Sequence, residues 1–258
     1  MSRAETMAPE PLAPSILDIE RATLTAVPAP ILAFDGPFVV RRFRGGTGRA
    51  NAACPMDPSP DPCLASRLVR IEAFYARAGQ PTRIRSTPLD PPGMTALLQA
   101  RGYRPRDESQ VILGRIAVVA ASDAAAEVLA APEPRWAEVM ASAEHQSPAR
   151  QAEKAAMPGL LGVPAAWVLL HDQGRPAACA FVTADGPLAG LFDLAVRPEC
   201  RRQGLGQRVM RAAAAWAAAQ GAAWVYAQVS CANHASLAMN ARIGLREHYR
   251  YTYYLKTA

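Results

Sequence analysis

One stretch restricts the fold of this chain more than any other. An apolar run, Leu191 to Val196, stops at Pro198; Arg201, Arg202, Gly204 and Gly206 follow; then Leu205, Val209, Ala213 and Trp216 mark a helical stripe that ends at Gly221. A strand that turns through glycines into a helix leaves the first backbone N–H groups of the helix without partners. The positive end of the helix dipole points the same way, so the turn is an anion site suited to phosphate. Gly204 and Gly206 lack β-carbons and let a phosphate approach the backbone, and Arg201 and Arg202 add charge at the rim.

Three phosphate loops compete for this pattern. A Walker loop ends in Gly-Lys-Ser/Thr, whereas this one reads Gly206-Gln207-Arg208. A dinucleotide loop needs a third glycine, where Val209 stands, and it follows the first strand of its unit rather than about the third. What remains is Arg/Gln-x-x-Gly-x-Gly/Ala, here Arg201-Arg202-Gln203-Gly204-Leu205-Gly206. A second segment, "NHASLAMNARIGL", begins at Asn233 and matches Asn-x-x-Ala-x-x-Leu-Tyr-x-x-x-Gly-Phe through Asn233, Ser236, Met239, Asn240, Gly244 and Leu245.

The two motifs in this order, separated by a helix and a strand, resemble the GNAT superfamily of acyl-CoA-dependent N-acyltransferases. The resemblance spans about residues 134–258, and the preceding half resembles the degenerate first domain of tandem members. It implies an α/β (α+β) fold: a mixed, mostly antiparallel central sheet with flanking helices, in two GNAT-like halves. The expected division is a flexible tail (1–14), a degenerate N-terminal domain (15–120), a connector (121–133) and an acetyl-CoA-binding domain (134–258).

The resemblance also implies roles. Pantetheine pairs with backbone at Leu194, Ala195 and Val196. The pyrophosphate sits on the loop from Arg201 and Arg202 through Gln203, Gly204, Leu205 and Gly206 to Gln207. Asn233 contacts the cofactor or holds the loop. Acetyl-CoA is then a co-substrate, no metal is needed, and a neutral amine attacks the thioester directly. A base must deprotonate the ammonium, and Asp193 is the best-placed carboxylate. A backbone N–H near Val196 stabilises the oxyanion. The family tyrosine that protonates the departing thiolate is replaced by Asn240, which can donate a hydrogen bond to sulfur but is no ordinary acid; Tyr249, Tyr251 or solvent takes that part. The acceptor is a small-molecule or peptide amine. Two other readings stay open: an acyl-CoA sensor or interaction module without catalysis, favoured by the Tyr-to-Asn departure, and aminoacyl transfer from charged tRNA, which the intact pyrophosphate loop argues against.

Composition narrows the partners. Net charge is +6 with arginine dominant, yet no run of five basic residues marks a nucleic-acid arm. An anionic small ligand is the more economical partner. Cys54, Cys63, Cys179, Cys200 and Cys231 are odd in number and form no CxxC, so neither a disulfide framework nor zinc is expected. A reduced, cytoplasmic setting fits, with no membrane span and a monomer or homodimer.

Along the rest of the chain, Ser15 with Asp18 predicts a capped helix over 16–24, and Leu64, Leu68, Ile71 and Tyr75 predict a second. Strands are expected at 37–43, 50–54, 82–87, 109–120, 165–172, 176–184, 188–196, 222–230 and 249–255, with helices at 92–101, 136–145 and 234–243. Segments 97–114 and 239–256 share one pattern of helix, glycine, apolar residue, polar turn and strand, which predicts two similar half-sheets side by side.

Overall fold

The capping box at Ser15 forms as the sequence predicts. Its hydroxyl accepts the N–H of Asp18 at 3.2 Å, and the Asp18 carboxylate accepts the N–H of Ser15 at 2.9 Å. This opens α1 (Ile16–Ala26). The computed structural model describes residues 12–143 and 146–256; most of the tail read over 1–14, and the end of the helix read over 136–145, lie outside those residues.

After α1 come β1 (Ile31–Asp35), β2 (Phe38–Arg42), β3 (Ala53–Pro55), α2 (Leu64–Ala76), β4 (Thr82–Ser86), α3 (Met94–Ala100) and β5 (Arg104–Arg115). A short α4 (Ile116–Val119) and β6 (Ala126–Leu129) lead to α5 (Pro134–Ala141) and α6 (Pro148–Ala156). The chain ends in β7 (Ala165–Asp172), β8 (Arg175–Asp185), β9 (Leu188–Val196), α7 (Leu205–Ala219), β10 (Trp224–Ser230), α8 (His234–Arg242) and β11 (Arg246–Lys256). Four of these were not anticipated. β1 pairs with β2 as a hairpin, β6 pairs with β7 at the far edge of the sheet inside the span read as a connector, and α6 was left unassigned. The strand read over 109–120 ends at Arg115, where the chain turns into α4.

All eleven strands join one sheet in the order β1-β2-β3-β4-β11-β5-β10-β9-β8-β7-β6. Its centre explains the internal repeat. β4, α3 and β5 follow one another in the first half as β10, α8 and β11 do in the second. β5 does not return to β4, however; it pairs antiparallel with β10, Trp224 opposite Arg115 and Ser230 opposite Ser109. Reciprocally, β11 pairs with β4, Thr252 opposite Ser86. β5 and β11 then pair with each other, so each half donates its last strand to the other. The two helix ends match in detail: Gly102 and Gly244 take φ of 84° and 99°, and Tyr103 and Leu245 return their N–H to the carbonyls of Leu98 and Asn240 at 3.0 and 3.1 Å. Glycine is suited to that left-handed turn.

Side-chain alternation divides the centre between two faces. Val225, Ala227 and Val229 of β10 pack with α7, together with Leu191 and Ile243. Tyr226 points the other way, into a layer with Ile19 of α1, Trp136 of α5, Phe192 and the three tyrosines Tyr249, Tyr251 and Tyr253. A third cluster, including Leu68, Ile71, Ile84 and Tyr254, buries α2 and α3 on the first half-sheet. The helical stripe Leu64, Leu68, Ile71 and Tyr75 is therefore buried within the first half.

Candidate functional site

The parallel ladder between β9 and β10 runs from Leu188 opposite Trp224 to Leu191 opposite Ala227 and stops there. Both strands continue, to Val196 and Ser230, so they splay. The cause lies in β9. Against β8, Phe192 faces Phe181 and Ala195 faces Cys179, so β9 carries one residue more over that interval. Asp193, at φ 53°, is the bulged residue, and a bulge bends its strand and increases local twist. Beyond it, Arg197 N donates to Ala177 O at 2.9 Å. By the alternation of an antiparallel ladder, Val196 turns its N–H and C=O to the opposite edge, toward the gap. There Arg201 Nε reaches the Val196 carbonyl at 3.4 Å.

The loop after β9 crosses one end of this gap. Arg202 takes φ 65° and Gly204 φ 79°, and Gly204 caps α7 without a side-chain acceptor. Gln207 and Arg208 donate their N–H to Gly204 O at 3.0 and 3.1 Å, but the N–H groups from Arg202 to Gly206 have no acceptor among the described residues. Those five donors at the start of a fifteen-residue helix form an exposed anion cradle. Gly206 is packed closely: a Cβ there would lie 3.1 Å from Met239 Sδ and 3.6 Å from Val196 Cγ2. The absence of a side chain lets loop, α8 and β9 meet.

From the splay a cleft of about 620 Å³ crosses the sheet. On the α7 and α8 side it is lined by Met210, Asn233, Ser236 and Asn240; on the opposite side it is lined by Arg49, Arg83, Arg150, Lys154, Tyr251 and Tyr253. Asn233 caps α8, its Oδ1 accepting the N–H of Ser236 at 3.0 Å. Asn240 is buried, and its Nδ2 donates to the Ser236 carbonyl at 2.8 Å and hydroxyl at 3.3 Å. Its N–H groups are thus turned into the helix, and the atom left without a partner is the acceptor Oδ1. That is the reverse of the donor expected toward sulfur.

Asp193 lines the cleft, ion-paired with Lys154 of α6. Burial pushes its carboxyl up, but the Lys154 ammonium, its hydrogen bond, and the charges of Arg49 and Arg150 outweigh that and hold it below the usual carboxylate range. It is a weak, already paired base.

The two candidate tyrosines part company. Tyr249 lies off the cleft: its hydroxyl donates to Glu20 Oε1 at 2.5 Å, and Glu20 is in turn buried against Arg85 at 2.7 Å. Burial and the Glu20 charge push that phenol up, so it is a structural donor and not the acid weighed from sequence. Tyr251 lies in the cleft with the Arg85 guanidinium 3.4 Å from its ring centre. Burial raises its phenol, but the charges of Arg85 and then Arg49 outweigh it and bring it below the ordinary tyrosine value. Its neighbour Tyr253, 5.4 Å away between ring centres, is pushed up by burial and by Tyr251.

The cleft also holds residues that sequence reading missed. Glu153 of α6 reaches into the turn after β2, where its carboxylate accepts the N–H of Arg44, Gly46 and Thr47 at 3.0, 2.8 and 2.7 Å and the Asn51 amide at 2.8 Å. This fixes the turn that carries Arg49. Ser147 followed by Pro148 is an N-cap and first-turn signal, and it would have located α6. Among the described residues no cluster of His, Cys, Asp or Glu could hold a metal ion, and no helix is long and apolar enough to cross a membrane.

A splayed strand pair, a bulge, an amide cradle at the following helix and flanking helices on a mostly antiparallel sheet define a GNAT-superfamily acetyltransferase fold. Within it, the chain belongs to the family described as "Probable histone acetyltransferase Rv0428c C-terminal", whose profile matches residues 14–254. Solved structures share the fold. A GCN5-related N-acetyltransferase from Kribbella flavida superposes with a TM-score of 0.69 at 18% identity, over 94% of this chain and 95% of that one. A tandem GNAT protein from the clavulanic acid biosynthesis pathway gives 0.61 at 16% identity, over 96% and 90%. An acetyltransferase from the GNAT family from Colwellia psychrerythraea gives 0.52 at 13%, over 94% and 97%. No curated protein matches in sequence.

Proposed function

We propose that the chain is an N-acyltransferase that moves an acetyl group from acetyl-CoA to an amine by direct attack in a ternary complex. The observation that carries this reading is the splay beyond Leu191 and Ala227, which opens one cleft to both faces of the sheet. On the α7 face the free amides from Arg202 to Gly206 suit a pyrophosphate, and the backbone edge of Leu194 to Val196 suits pantetheine. The acceptor enters from the face lined by Arg49, Lys154 and Tyr251. The amine nitrogen forms a bond to the thioester carbon, the C–S bond breaks, and the products are an amide and CoA. The N–H of Val196, aimed into the gap, is the oxyanion donor. Tyr251, with its lowered phenol, is the side chain best suited to exchange protons with the amine or the thiolate. Asn240 offers Oδ1 to a cofactor N–H or S–H.

The family description names a probable histone acetyltransferase. A second reading, an acyl-CoA-binding module without turnover, is favoured by Asn240, whose occupied N–H cannot replace the family acid. Incubation with acetyl-CoA and a panel of amines, following free CoA thiol, separates the two: the first reading expects amine-dependent release, and the second expects binding by calorimetry with no release.

A further inference from the structure

We infer that the acceptor is an amine that also carries an oxyanion, a carboxylate or a phosphate, gripped by Arg49 and Arg83. This rests on the acyltransferase reading above and names the substrate class of the same site.

The charges in the cleft are unequally partnered. Among the described residues three carboxylates line the cleft: Asp107, Glu153 and Asp193. Glu153 already accepts four donors from the turn after β2, and Asp193 is paired with Lys154. Asp107 alone keeps its oxygens without a donor among the described residues. Against it stand two guanidinium groups with no carboxylate partner there. Arg49 gives Nε to Gln228 Oε1 at 3.1 Å and lies 5.6 Å from the Phe192 ring centre, which leaves both of its terminal nitrogens without a partner among the described residues. Among the described residues Arg83 meets only the Asn51 carbonyl, at 3.4 Å, and the Tyr253 ring, at 5.9 Å.

The field of these groups is already felt inside the cleft. Arg85 shares Gln228 Oε1 with Arg49, at 3.4 Å. The guanidinium of Arg150 is pushed down, first by burial and next by the charge of Arg49. An arginine fork with open nitrogens matches a carboxylate or phosphate in two parallel hydrogen bonds. A lysine-rich protein tail would bring more positive charge to this wall. The position fits too, because Arg49 and Arg83 line the face opposite the amide cradle and so have no part in holding the pyrophosphate.

The test uses the full chain and matched acceptors. Each carboxylate-bearing amine is assayed beside its carboxamide, each phosphate-bearing amine beside its alcohol, and a lysine-rich peptide beside them. The expected result is a kcat/KM at least about tenfold higher for the oxyanion member of a pair, the scale of a hydrogen bond to a charged group. The carboxylate and phosphate arms then identify the anion. Arg49→Gln should raise KM for the anionic amine about tenfold and collapse the preference, with acetyl-CoA affinity retained; Arg49→Lys, which keeps charge but loses the fork, should fall between. Equal or better turnover of neutral amines or the peptide overturns the inference. Calorimetry keeps the two readings apart. No acetyl-CoA binding sinks the acyltransferase reading itself. Acetyl-CoA binding without any binding of the anionic amines, whether or not turnover occurs, sinks this one alone.

Discussion

The carboxylate of Glu153 accepts the backbone N–H of Gly46 at 2.8 Å, joining α6 of the second half to the turn after β2 in the first. The fit is close: a Cβ on Gly46 would lie 2.6 Å from Glu153 Oε2 and 2.7 Å from the Arg150 backbone nitrogen. Glu153 is only 4% exposed, so the donors it serves have no ready substitute in water. Glu153→Ala leaves four neutral donors unserved and is expected to lower stability by about 1–3 kcal/mol, the cost of a buried polar group left without its partner. Glu153→Gln keeps one acceptor oxygen and should lose less. Urea unfolding of the three proteins checks the order, and equal midpoints for parent and Glu153→Ala would show that the turn holds itself.

Gly206 should govern cofactor binding. Gly206→Glu adds a carboxylate at the cradle and a side chain against Met239 and Val196. Acetyl-CoA affinity is expected to fall by more than about a hundredfold, repulsion adding to the lost approach of the phosphate. Titration calorimetry measures this, with circular dichroism to confirm the fold; undiminished affinity would remove the loop from the cofactor site.

Asp193 gives a dependence on pH. Its folded value is depressed, so its contribution to stability is full above the unfolded value near 3.8 and is lost as pH falls through the lower folded value. Asp193→Asn suits the test because asparagine tolerates the left-handed φ of 53° at this position. The variant should be less stable than the parent by about 1.5–3 kcal/mol near neutrality. The two should converge below about pH 4. Parallel stability curves down to acid pH would show that the Lys154 pair contributes nothing.

The tyrosines should separate function from structure. Tyr251→Phe is expected to lower kcat by about a hundredfold or more if its phenol moves the proton. Asn240→Ala, which takes from the cleft only the acceptor Oδ1 and from α8 the two bonds to Ser236, should lower it by no more than roughly tenfold. Tyr249→Phe takes a donor from buried Glu20 and should appear in the melting temperature first. A pH–rate profile of Tyr251→Phe that keeps both limbs of the parent would assign the proton to another group.

Residues 134–258 produced alone should aggregate. Without β5, the edges of β10 and β11 that it joins are left open, and apolar side chains such as Val111, Ile112 and Leu113 no longer cover their neighbours. A cooperative, monomeric fragment in sedimentation and thermal melts would show that β10 and β11 can pair directly.

Much of the loop side of the cleft was legible. Gly204 and Gly206 are read from local rules about helix starts, Asn233 from the likeness of its segment to the GNAT motif, and the strand over 188–196 and the helix after it stand where their periodicity places them. The splay was not legible by spacing, because it depends on a single extra residue, Asp193, whose left-handed backbone has no signature in a run such as "LFDLAV". The opposite wall of the cleft was least legible. Arg49, Arg85, Lys154 and Tyr253 come from four distant segments, and only tertiary packing makes them neighbours. Tyr249 and Tyr251 share a strand face and could be told apart only by what reaches each hydroxyl or ring: Glu20 in one case, Arg85 in the other. The repeat was visible as a likeness between two segments, but a likeness cannot say that the segments change places.

That change of places sets an order of events during synthesis. The slot between β4 and β5 belongs to residues 246–256, so the first half leaves the ribosome with a gap in its sheet. It cannot reach its final form as it emerges, in the domain-by-domain manner common to larger chains. Assembly of the whole sheet waits until residues 246–256 have been translated. Until then two open strand edges stand side by side, and a nascent chain in that state has reason to need a chaperone.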